Sequence, residues 1–292
     1  MRKHPVLLGL IIIGVILGIF LLSIFFLTRF GEEKGFTLGD KIAVVDVKGV
    51  ITSSRGIVEE IERLKEDDDV KAIILRINSP GGGVGPSQEI YREVLRAKEK
   101  KKVIASMESV AASGGYYVAC ASDAIVANPG TITGSIGVVM EFSNIEDLLE
   151  KIGLRSYVIK SGKHKDIGSP LRKMTPEEEK ILQGVIDSVH SQFVRAVAEG
   201  RNMEESTVRQ IADGRIFSGE QAKELGLVDR LGSLQDAIEI AAEMIGMKGK
   251  PVVIYPKRKL SLYEFLFKKS IKLLLDEVWQ REYRLSYLMY SF

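Results

Sequence analysis

Residues 71–101 read KAIILRINSPGGGVGPSQEIYREVLRAKEKK, and this stretch decides the class of fold. Its first eight residues are mostly aliphatic, which predicts a buried strand. The cluster SPGGGVGPS then ends the strand, because glycine and proline interrupt regular structure. The residues from Gln88 onward predict a helix. A strand that passes through a tight glycine turn into a helix is typical of an α/β domain.

The flanking segments continue this alternation. Residues 42–50, IAVVDVKGV, form a β-branched run that ends near a glycine and predict a strand. Residues 56–70 carry apolar side chains at helical spacing and predict a helix. Further short strands are predicted at VIASM (103–107), AIVA (124–127) and SIGVVM (135–140). Strands that alternate with helices predict an α/β fold with the helices packed on the sheet.

The second half of the chain is more helical. The segment TPEEEKILQGVIDSVHSQFVRAVAEGR, residues 175–201, begins with Thr175 as a predicted N-cap, Pro176 in the first turn and Glu178 three residues after the cap. Two further segments, 205–214 and 218–233, follow it, and each closes on glycine. No repeat of 20–50 residues suggests a solenoid.

The N-terminus departs from this globular pattern. From Pro5 to Thr28 the chain carries no charged side chain, and this run exceeds the roughly 20 residues that cross a bilayer as a helix. No A-x-A-like cleavage site follows it. We therefore expect a short tail (1–4), a retained transmembrane helix (5–28) and a polar linker (29–40). Basic residues flank the run on both sides, so the charge count does not fix its orientation.

The predicted catalytic domain covers residues 41–250, and a different kind of sequence follows it. Residues 251–292 mix basic and large apolar side chains, which predicts a basic amphipathic tail. Such a segment either lies on an anionic membrane surface or packs on the domain or on a neighbouring subunit. The composition leaves both interpretations open.

The bulk composition limits the possible partners and redox chemistry. The formal net charge is +2, which gives no reason to expect nucleic acid as a partner. Cys120 is the only cysteine, so no intrachain disulfide can form. Its apolar surroundings favour a buried structural residue over a reactive thiol.

The segment SVAASGGYYVAC, residues 109–120, places one hydroxyl, that of Ser113, among very small residues. If a helix begins there, the oxygen lies at the positive end of the helix dipole, and the N–H of Gly114 can stabilise an oxyanion. The small neighbours would give a substrate backbone access to the hydroxyl. The alternative is a serine that only caps the helix, beside a closely packed contact.

A serine nucleophile needs a base, and the segment KSGKHKDIGSP, residues 160–170, offers several. His164 is possible, but no carboxylate in the sequence stands out as its orienting partner. A lysine is the alternative, provided that its surroundings lower the pKa of the amine well below the free value of about 10.4. Three candidates remain open on physical grounds: Lys160, Lys163 and Lys165.

The glycine cluster itself is a poor nucleotide loop. It lacks G-x-x-x-x-G-K-[ST], and Pro86 stands where G-x-G-x-x-G needs its last glycine. Glycines without Cβ atoms can instead present bare backbone N–H groups to a ligand oxygen. The cluster is therefore a candidate source of oxyanion donors.

In this order, and behind an uncharged N-terminal run, three motifs resemble the signal peptide peptidase A family: INSPGGG (77–83), SVAASGGYYVACASDAIVANPGTITGSIGV (109–138) and SGKHKDIGSP (161–170). The resemblance covers about residues 41–246. It implies that Ser113 is the nucleophile and Lys165 the base. It also implies that Ser135 orients the lysine and that Gly82 supplies an oxyanion donor beside Gly114.

The resemblance also implies a fold, a setting and a substrate class. The expected fold is that of the Clp proteases and crotonases, with repeated ββα units, and the spacing fits the short, single-repeat form of the family. The expected enzyme is a membrane-anchored serine endopeptidase that needs no metal and no cofactor. It would assemble into a homo-oligomeric ring or dome outside the cytoplasmic membrane and degrade remnant signal peptides and other apolar unfolded peptides.

Two other functions fit the same fold. A crotonase-like enzyme would act on acyl-thioesters through the same oxyanion hole, but its chemistry does not need a serine–lysine pair. An inactive membrane scaffold would gather partners through its ring. The intact catalytic motifs argue against the scaffold.

Overall fold

The computed structural model describes residues 12–20, 22–23, 40–255 and the backbone of 286–288. The residues before Asp40 form a compact unit of their own, in which 12–20 and 22–23 are helical and exposed. No helix within the described ranges has the length and hydropathy needed to span a bilayer. The predicted span at 5–28 lies partly outside the described residues, as does most of the predicted tail. The predicted linker at 29–40 lies outside them except for Asp40.

Residues from Asp40 onward form a mixed sheet with helices on both faces. Eight strands of the described chain build it: β1 (Lys41–Lys48), β2 (Val70–Ser79), β4 (Lys102–Ala112), β5 (Ala124–Ala127), β6 (Ile132–Gly134), β7 (Ile216–Ser218), β8 (Arg230–Leu231) and β9 (Val252–Ile254). The main order is β7-β6-β4-β2-β1-β9, and only the β6–β7 pair is antiparallel. A separate two-stranded sheet joins β3 (Gly81–Gly83) to β10 (Ser286–Leu288).

The long strand β4 organises the centre of the sheet. Its first half pairs with β5, from Ile104 opposite Ala124 onward. Its last three residues pair instead with β6, and Ala112 lies opposite Gly134. The carboxyl ends of β2, β4 and β6 therefore meet at one edge, which is where ligands bind in open α/β sheets.

Eight helices of the described part of the unit from Asp40 onward connect these strands. They are α1 (Arg55–Glu66), α2 (Val84–Lys98), α3 (Gly114–Ala119), α4 (Glu146–Lys151), α5 (Pro176–Arg201), α6 (Glu205–Ile211), α7 (Gly219–Glu224) and α8 (Leu234–Met244). The cap predicted for α5 is confirmed: Thr175 and Glu178 form a reciprocal capping box, with Pro176 in the first turn.

Alternating side chains divide the core between the two faces of the sheet. In β2, Ile73, Leu75 and Ile77 face the larger cluster, which also contains residues of α1, α2, α3 and α5. Ala72 and Ile74 face the smaller cluster, which α8 covers. This period of two is what a sheet buried on both sides requires. It explains why the central strands read as continuous apolar runs.

Two elements differ from the sequence-based expectation. The predicted strand SIGVVM is wrong, because β6 lies at Ile132–Gly134 and the chain leaves the extended conformation at Ser135, whose φ is 50°. β9 pairs in parallel with β1, with Lys41 opposite Val252. The sheet thus includes residues that the sequence analysis placed in the tail.

The packing of α5 on the end of α3 gives a stability prediction. A Cβ atom at Gly200 would lie 1.9 Å from the carbonyl oxygen of Cys120, whereas one at Gly184 in the same helix would meet nothing within 4 Å. We expect Gly200→Ala to lower the free energy of unfolding by about 1–3 kcal/mol. The matched change Gly184→Ala should raise it by about 0.5–1 kcal/mol. Chemical denaturation followed by circular dichroism measures both; equal effects of the two changes would contradict this packing.

Candidate active site

Ser113 lies at the junction of β4 and α3 and is 1% exposed. Its φ and ψ are 54° and −118°, a region that residues with a side chain rarely occupy. The backbone on both sides holds it there. The Ser113 N–H donates to the Gly134 carbonyl at 2.9 Å, and the Ser113 carbonyl accepts from the Tyr117 N–H at 2.8 Å. Such strained residues are often found at active sites.

The Ser113 hydroxyl does not act as a helix cap. It makes no capping hydrogen bond to α3, although Ser113 occupies the N-cap position. Side-chain capping is the usual structural reason for serine at this position. Because Ser113 makes no capping hydrogen bond, capping does not explain the serine, and a chemical role for its hydroxyl is favoured.

The small residues beside Ser113 serve packing within the protein. A Cβ atom at Gly114 would lie 2.6 Å from the Ser87 Oγ and 3.2 Å from the amide nitrogen of Gly82. One at Gly115 would lie 2.9 Å from the Ser79 carbonyl oxygen. The sequence analysis attributed these glycines to room for a substrate. The structure instead shows that they let α3 approach the glycine loop, which brings Gly114 beside Gly82.

The backbone of β3 directs the N–H of Gly82 away from the adjacent loop. The Gly83 N–H donates to the Ile51 carbonyl at 2.8 Å, and the Ile51 N–H donates to the Gly81 carbonyl at the same distance. Because N–H directions alternate along an extended strand, the Gly82 N–H points to the opposite edge. A side chain at Gly82 is excluded, since its Cβ would lie 2.3 Å from the Ile51 carbonyl oxygen.

Ser135 belongs to the same strand-end cluster. It follows Gly134, whose carbonyl holds the Ser113 N–H, and it is 8% exposed. Its own N–H donates to the carbonyl of Arg215, the residue before β7, at 2.8 Å, and this bond fixes its backbone. The structure thus brings together four of the five predicted site residues: Ser113, Gly114, Gly82 and Ser135.

Lys165, the fifth predicted residue, lies on an exposed turn of the single chain. Its N–H donates to the Gly162 carbonyl at 3.1 Å. Within residues 40–255, its amine makes no hydrogen bond to Ser113 or to Ser135. The segment that carries it, residues 160–178, is held by ion pairs among its own charged side chains.

The other candidate bases are engaged elsewhere. Lys160 donates to Asp166 at 2.5 Å and to the Lys163 carbonyl at 2.9 Å. Lys163 pairs with Glu177, and the Nε2 of His164 lies 3.4 Å from the same carboxylate. The amines of Lys160 and Lys163 are thus engaged with groups of their own segment and of α5, and not with Ser113.

Two hydroxyls that the sequence analysis did not single out support this cluster. The Ser87 Oγ donates to the Gly83 carbonyl at 2.8 Å and so fixes the glycine loop beside Gly114. The Thr133 Oγ1 donates to the Ala111 carbonyl at 2.7 Å, at the end of β4. In the sequence, Ser87 is the last residue of the glycine cluster and Thr133 directly precedes Gly134. Their positions inside these motifs were the signal that could have identified them.

A segment of the tail occupies the free edge of the glycine loop. β10 runs antiparallel to β3, with Tyr287 opposite Gly82 and Leu288 opposite Gly81. The edge to which the Gly82 N–H points therefore accepts an extended strand. Addition of a strand to an exposed edge is a common mode of peptide recognition.

Comparison with known families identifies two matching regions. The family model described as Peptidase family S49 matches residues 96–248, which include Ser113, Ser135 and Lys165. The model described as Clp protease matches residues 40–130, which include the glycine loop and β4. The second match agrees with the Clp-protease-like α/β fold of the mixed sheet.

Similar proteins carry related names. A Synechocystis protein provisionally named a protease is 50% identical over 71% of this chain and 75% of its own length. An Enterococcus faecium protein provisionally named signal peptide peptidase SppA is 39% identical, over 68% of this chain and 62% of its own length. Protease 4 of Salmonella typhi is 36% identical over 72% of this chain, and this match spans 35% of that protein.

The close approach of α3 to the glycine loop predicts a selective loss of serine reactivity. Gly114→Ala should push the loop away from Ser113 and reduce the second-order rate of labelling by a fluorophosphonate probe about 100-fold or more, as loss of an oxyanion donor does. Gly85→Ala is the matched control, because a Cβ there meets nothing within 4 Å. Labelling is followed by intact-protein mass spectrometry and folding by thermal melting. A full labelling rate in folded Gly114→Ala would contradict the prediction.

Proposed function

The chain belongs to peptidase family S49 and is a serine protease, and from this premise we propose that Ser113 and Lys165 form its catalytic dyad. Ser135 orients the amine, and the N–H groups of Gly82 and Gly114 form the oxyanion hole. One observation carries the proposal most directly. Ser113 is held at positive φ with no capping bond, and the next residue, Gly114, lies against the backbone of Gly82.

These residues would perform acyl transfer in two steps. The Ser113 Oγ attacks the scissile carbonyl carbon while its proton passes to the neutral Lys165 amine. The tetrahedral oxyanion accepts hydrogen bonds from Gly82 and Gly114. Collapse breaks the C–N bond, and Lys165 gives its proton to the leaving amine. Lys165 then takes a proton from water, the hydroxide attacks the acyl-enzyme, and the proton returns to Ser113.

The choice of Lys165 has independent support from its neighbours. The amines of Lys160 and Lys163 are engaged by carboxylates, those of Asp166 and Glu177. The Lys165 amine has no such partner among the described residues. Of the three candidate lysines, it is the one that is free to meet Ser113.

The substrates we propose are extended apolar peptides, including remnant signal peptides. β10 provides the support, since it already pairs antiparallel with β3 across from Gly82. A peptide in that position would run its backbone past the proposed oxyanion hole. Recognition through backbone hydrogen bonds tolerates many side chains, which suits unfolded segments of varied sequence.

We also propose that the active form is a homo-oligomer. An exposed amine is protonated at neutral pH, so a lysine base needs a cover that excludes water. The segment before Lys165 exposes large apolar side chains that a second copy would bury: Leu148, Ile152, Leu154, Tyr157, Val158 and Ile159. A neighbouring subunit on this face would supply the missing cover.

The setting we propose is the outer side of the cytoplasmic membrane, with residues 5–28 as the anchor. The uncharged run supports the anchor, and its described part is helical with exposed apolar side chains. The two rival functions are less well supported. The matched family is one of peptidases, so an acyl-thioester enzyme or an inactive scaffold would depart from it.

The dyad proposal predicts a specific pattern of loss. Ser113→Ala and Lys165→Ala should each reduce hydrolysis of an apolar fluorogenic peptide by at least about 1,000-fold, because nucleophile and base act as one unit. Lys163→Ala is the matched control; its amine is exposed and paired with Glu177, so activity should stay within about twofold. Circular dichroism verifies folding. Normal hydrolysis by the Lys165 variant would remove it as the base.

The position of β10 predicts competition between the tail and substrates. Deletion of residues 286–292 should lower KM for a peptide by about threefold or more and leave kcat nearly unchanged, because occupancy of the edge reduces the competent fraction. A synthetic peptide of residues 284–292 should inhibit the deletion variant competitively. An unchanged KM, together with no inhibition by the peptide, would show that β10 does not occupy the substrate edge.

A further inference from the structure

The segment that carries Lys165 contains a compact group of charges centred on Arg172. The guanidinium lies between two carboxylates and donates to both. Its Nε and Nη2 donate to the two oxygens of Asp166 at 2.9 and 2.8 Å. Its Nη1 and Nη2 donate to the two oxygens of Glu178 at 2.8 and 2.5 Å. Each contact is bidentate, the geometry that arginine forms best with carboxylates.

The three side chains of this group are largely removed from solvent. The side chain of Glu178 is 3% exposed, that of Asp166 is 12% exposed, and that of Arg172 is 28% exposed. Hydrogen bonds from Arg172 lower the pKa of Glu178 to about 2 and hold the pKa of Asp166 well below its ordinary value. Both carboxylates are therefore charged at neutral pH.

The group joins the turn of Lys165 to the start of α5. Glu178 is also the residue that closes the capping box with Thr175. Arg172 additionally donates from Nη2 to the Asp166 carbonyl at 3.2 Å. The backbone at Asp166, one residue after Lys165, is thus tied to a helix terminus through a single side chain.

Asp166 is also the carboxylate closest in sequence to the proposed base. An unpaired carboxylate beside an amine stabilises the ammonium form and so opposes its action as a base. Arg172 and Lys160 donate hydrogen bonds to the Asp166 carboxylate and balance its negative charge. The arrangement keeps that negative charge from acting on Lys165.

We propose that Arg172 is a positioning residue for the base. It fixes the backbone at Asp166 and neutralises the Asp166 carboxylate, so that the Lys165 amine can lose its proton. This inference rests on the proposed function, because it assumes that Lys165 is the base. It adds a role for a residue that does not touch the substrate.

The other charges around the turn define the controls. On the segment itself they are Lys160, Lys163, His164, Arg172 and Lys173; from α4 and α5 they are Glu146, Glu177 and Glu178. Glu177 pairs with Lys163, and Glu146 accepts from the Lys173 N–H at 2.9 Å. Lys163 and Glu177 are both more than half exposed, so loss of their pairing should matter little.

The test measures how the reactivity of Ser113 depends on pH in the full chain. The second-order rate of fluorophosphonate labelling should rise with pH as the base loses its proton, and the midpoint of this acid limb is the readout. Arg172→Met exposes the amine to the Asp166 charge. Its midpoint should move to higher pH by about 0.5–1 unit, with a roughly three- to tenfold slower rate below the midpoint.

A second change separates charge from structure. The double variant Arg172→Met/Asp166→Asn removes both charges, so the midpoint should return to within about 0.3 unit of the original even if the plateau rate stays low. Arg172→Lys keeps the charge but loses the bidentate geometry, so its midpoint should stay in place while the plateau falls. Lys163→Met, the matched control, should change neither quantity.

The outcomes distinguish this inference from the proposed function. If Lys165→Ala labels normally, the proposed base is wrong and the role of Arg172 falls with it. If Lys165→Ala is inert but Arg172→Met lowers only the melting temperature and the plateau rate, the dyad stands and the positioning role is overturned. A shifted midpoint that Asp166→Asn does not restore would equally overturn it. Arg172→Lys keeps the inference testable if Arg172→Met fails to fold.

Discussion

The rest of the site depends on one backbone constraint: Ser113 occupies a positive φ at the end of a buried strand. Such a conformation costs about 1–3 kcal/mol and persists only where the surroundings over-determine it. Here the pairing of β4 with β6 supplies the Gly134 carbonyl that holds the Ser113 N–H, and the first turn of α3 binds the Ser113 carbonyl. In this conformation the Ser113 hydroxyl makes no capping hydrogen bond to α3.

This constraint accounts for the glycines around it. The turn at Ser113 drives α3 against the loop between β2 and α2, where Ser87 and the Gly82 backbone leave no space for a Cβ atom on Gly114. On its other side the loop presses on the Ile51 carbonyl, which excludes a side chain from Gly82. Gly114 and Gly82 are thus held close together by the packing of the segments that follow β4 and β2. The proposed oxyanion hole depends on this packing.

The sequence allowed most of the scaffold to be predicted, for physical reasons, and Ser113 as the nucleophile stays a prediction. The strands β1, β2 and β4 are continuous apolar runs, and Thr175, Pro176 and Glu178 mark the start of α5 without tertiary information. The predictions failed where pairing between distant parts of the chain determines the structure. SIGVVM has the composition of a strand, but Ser135 adopts positive φ beside β7, and β9 is recruited to β1 from a segment that reads as tail. The packing role of Gly114 depended equally on a loop some thirty residues away.

The same reasoning explains why the two halves of the proposed dyad differ in predictability. Ser113 is positioned by strands that the single chain builds completely, so local sequence already carries its signal. Lys165 lies on a segment that is held by the pairing of Arg172 with Asp166 and Glu178, but its own amine has no ion-pair partner among the described residues, and the apolar side chains before it are exposed. Among the described residues nothing covers Lys165, and the apolar side chains before it form a surface that the proposed neighbouring subunit would bury. On this proposal, folding of one chain positions the nucleophile, and the base is completed when a second copy closes over it.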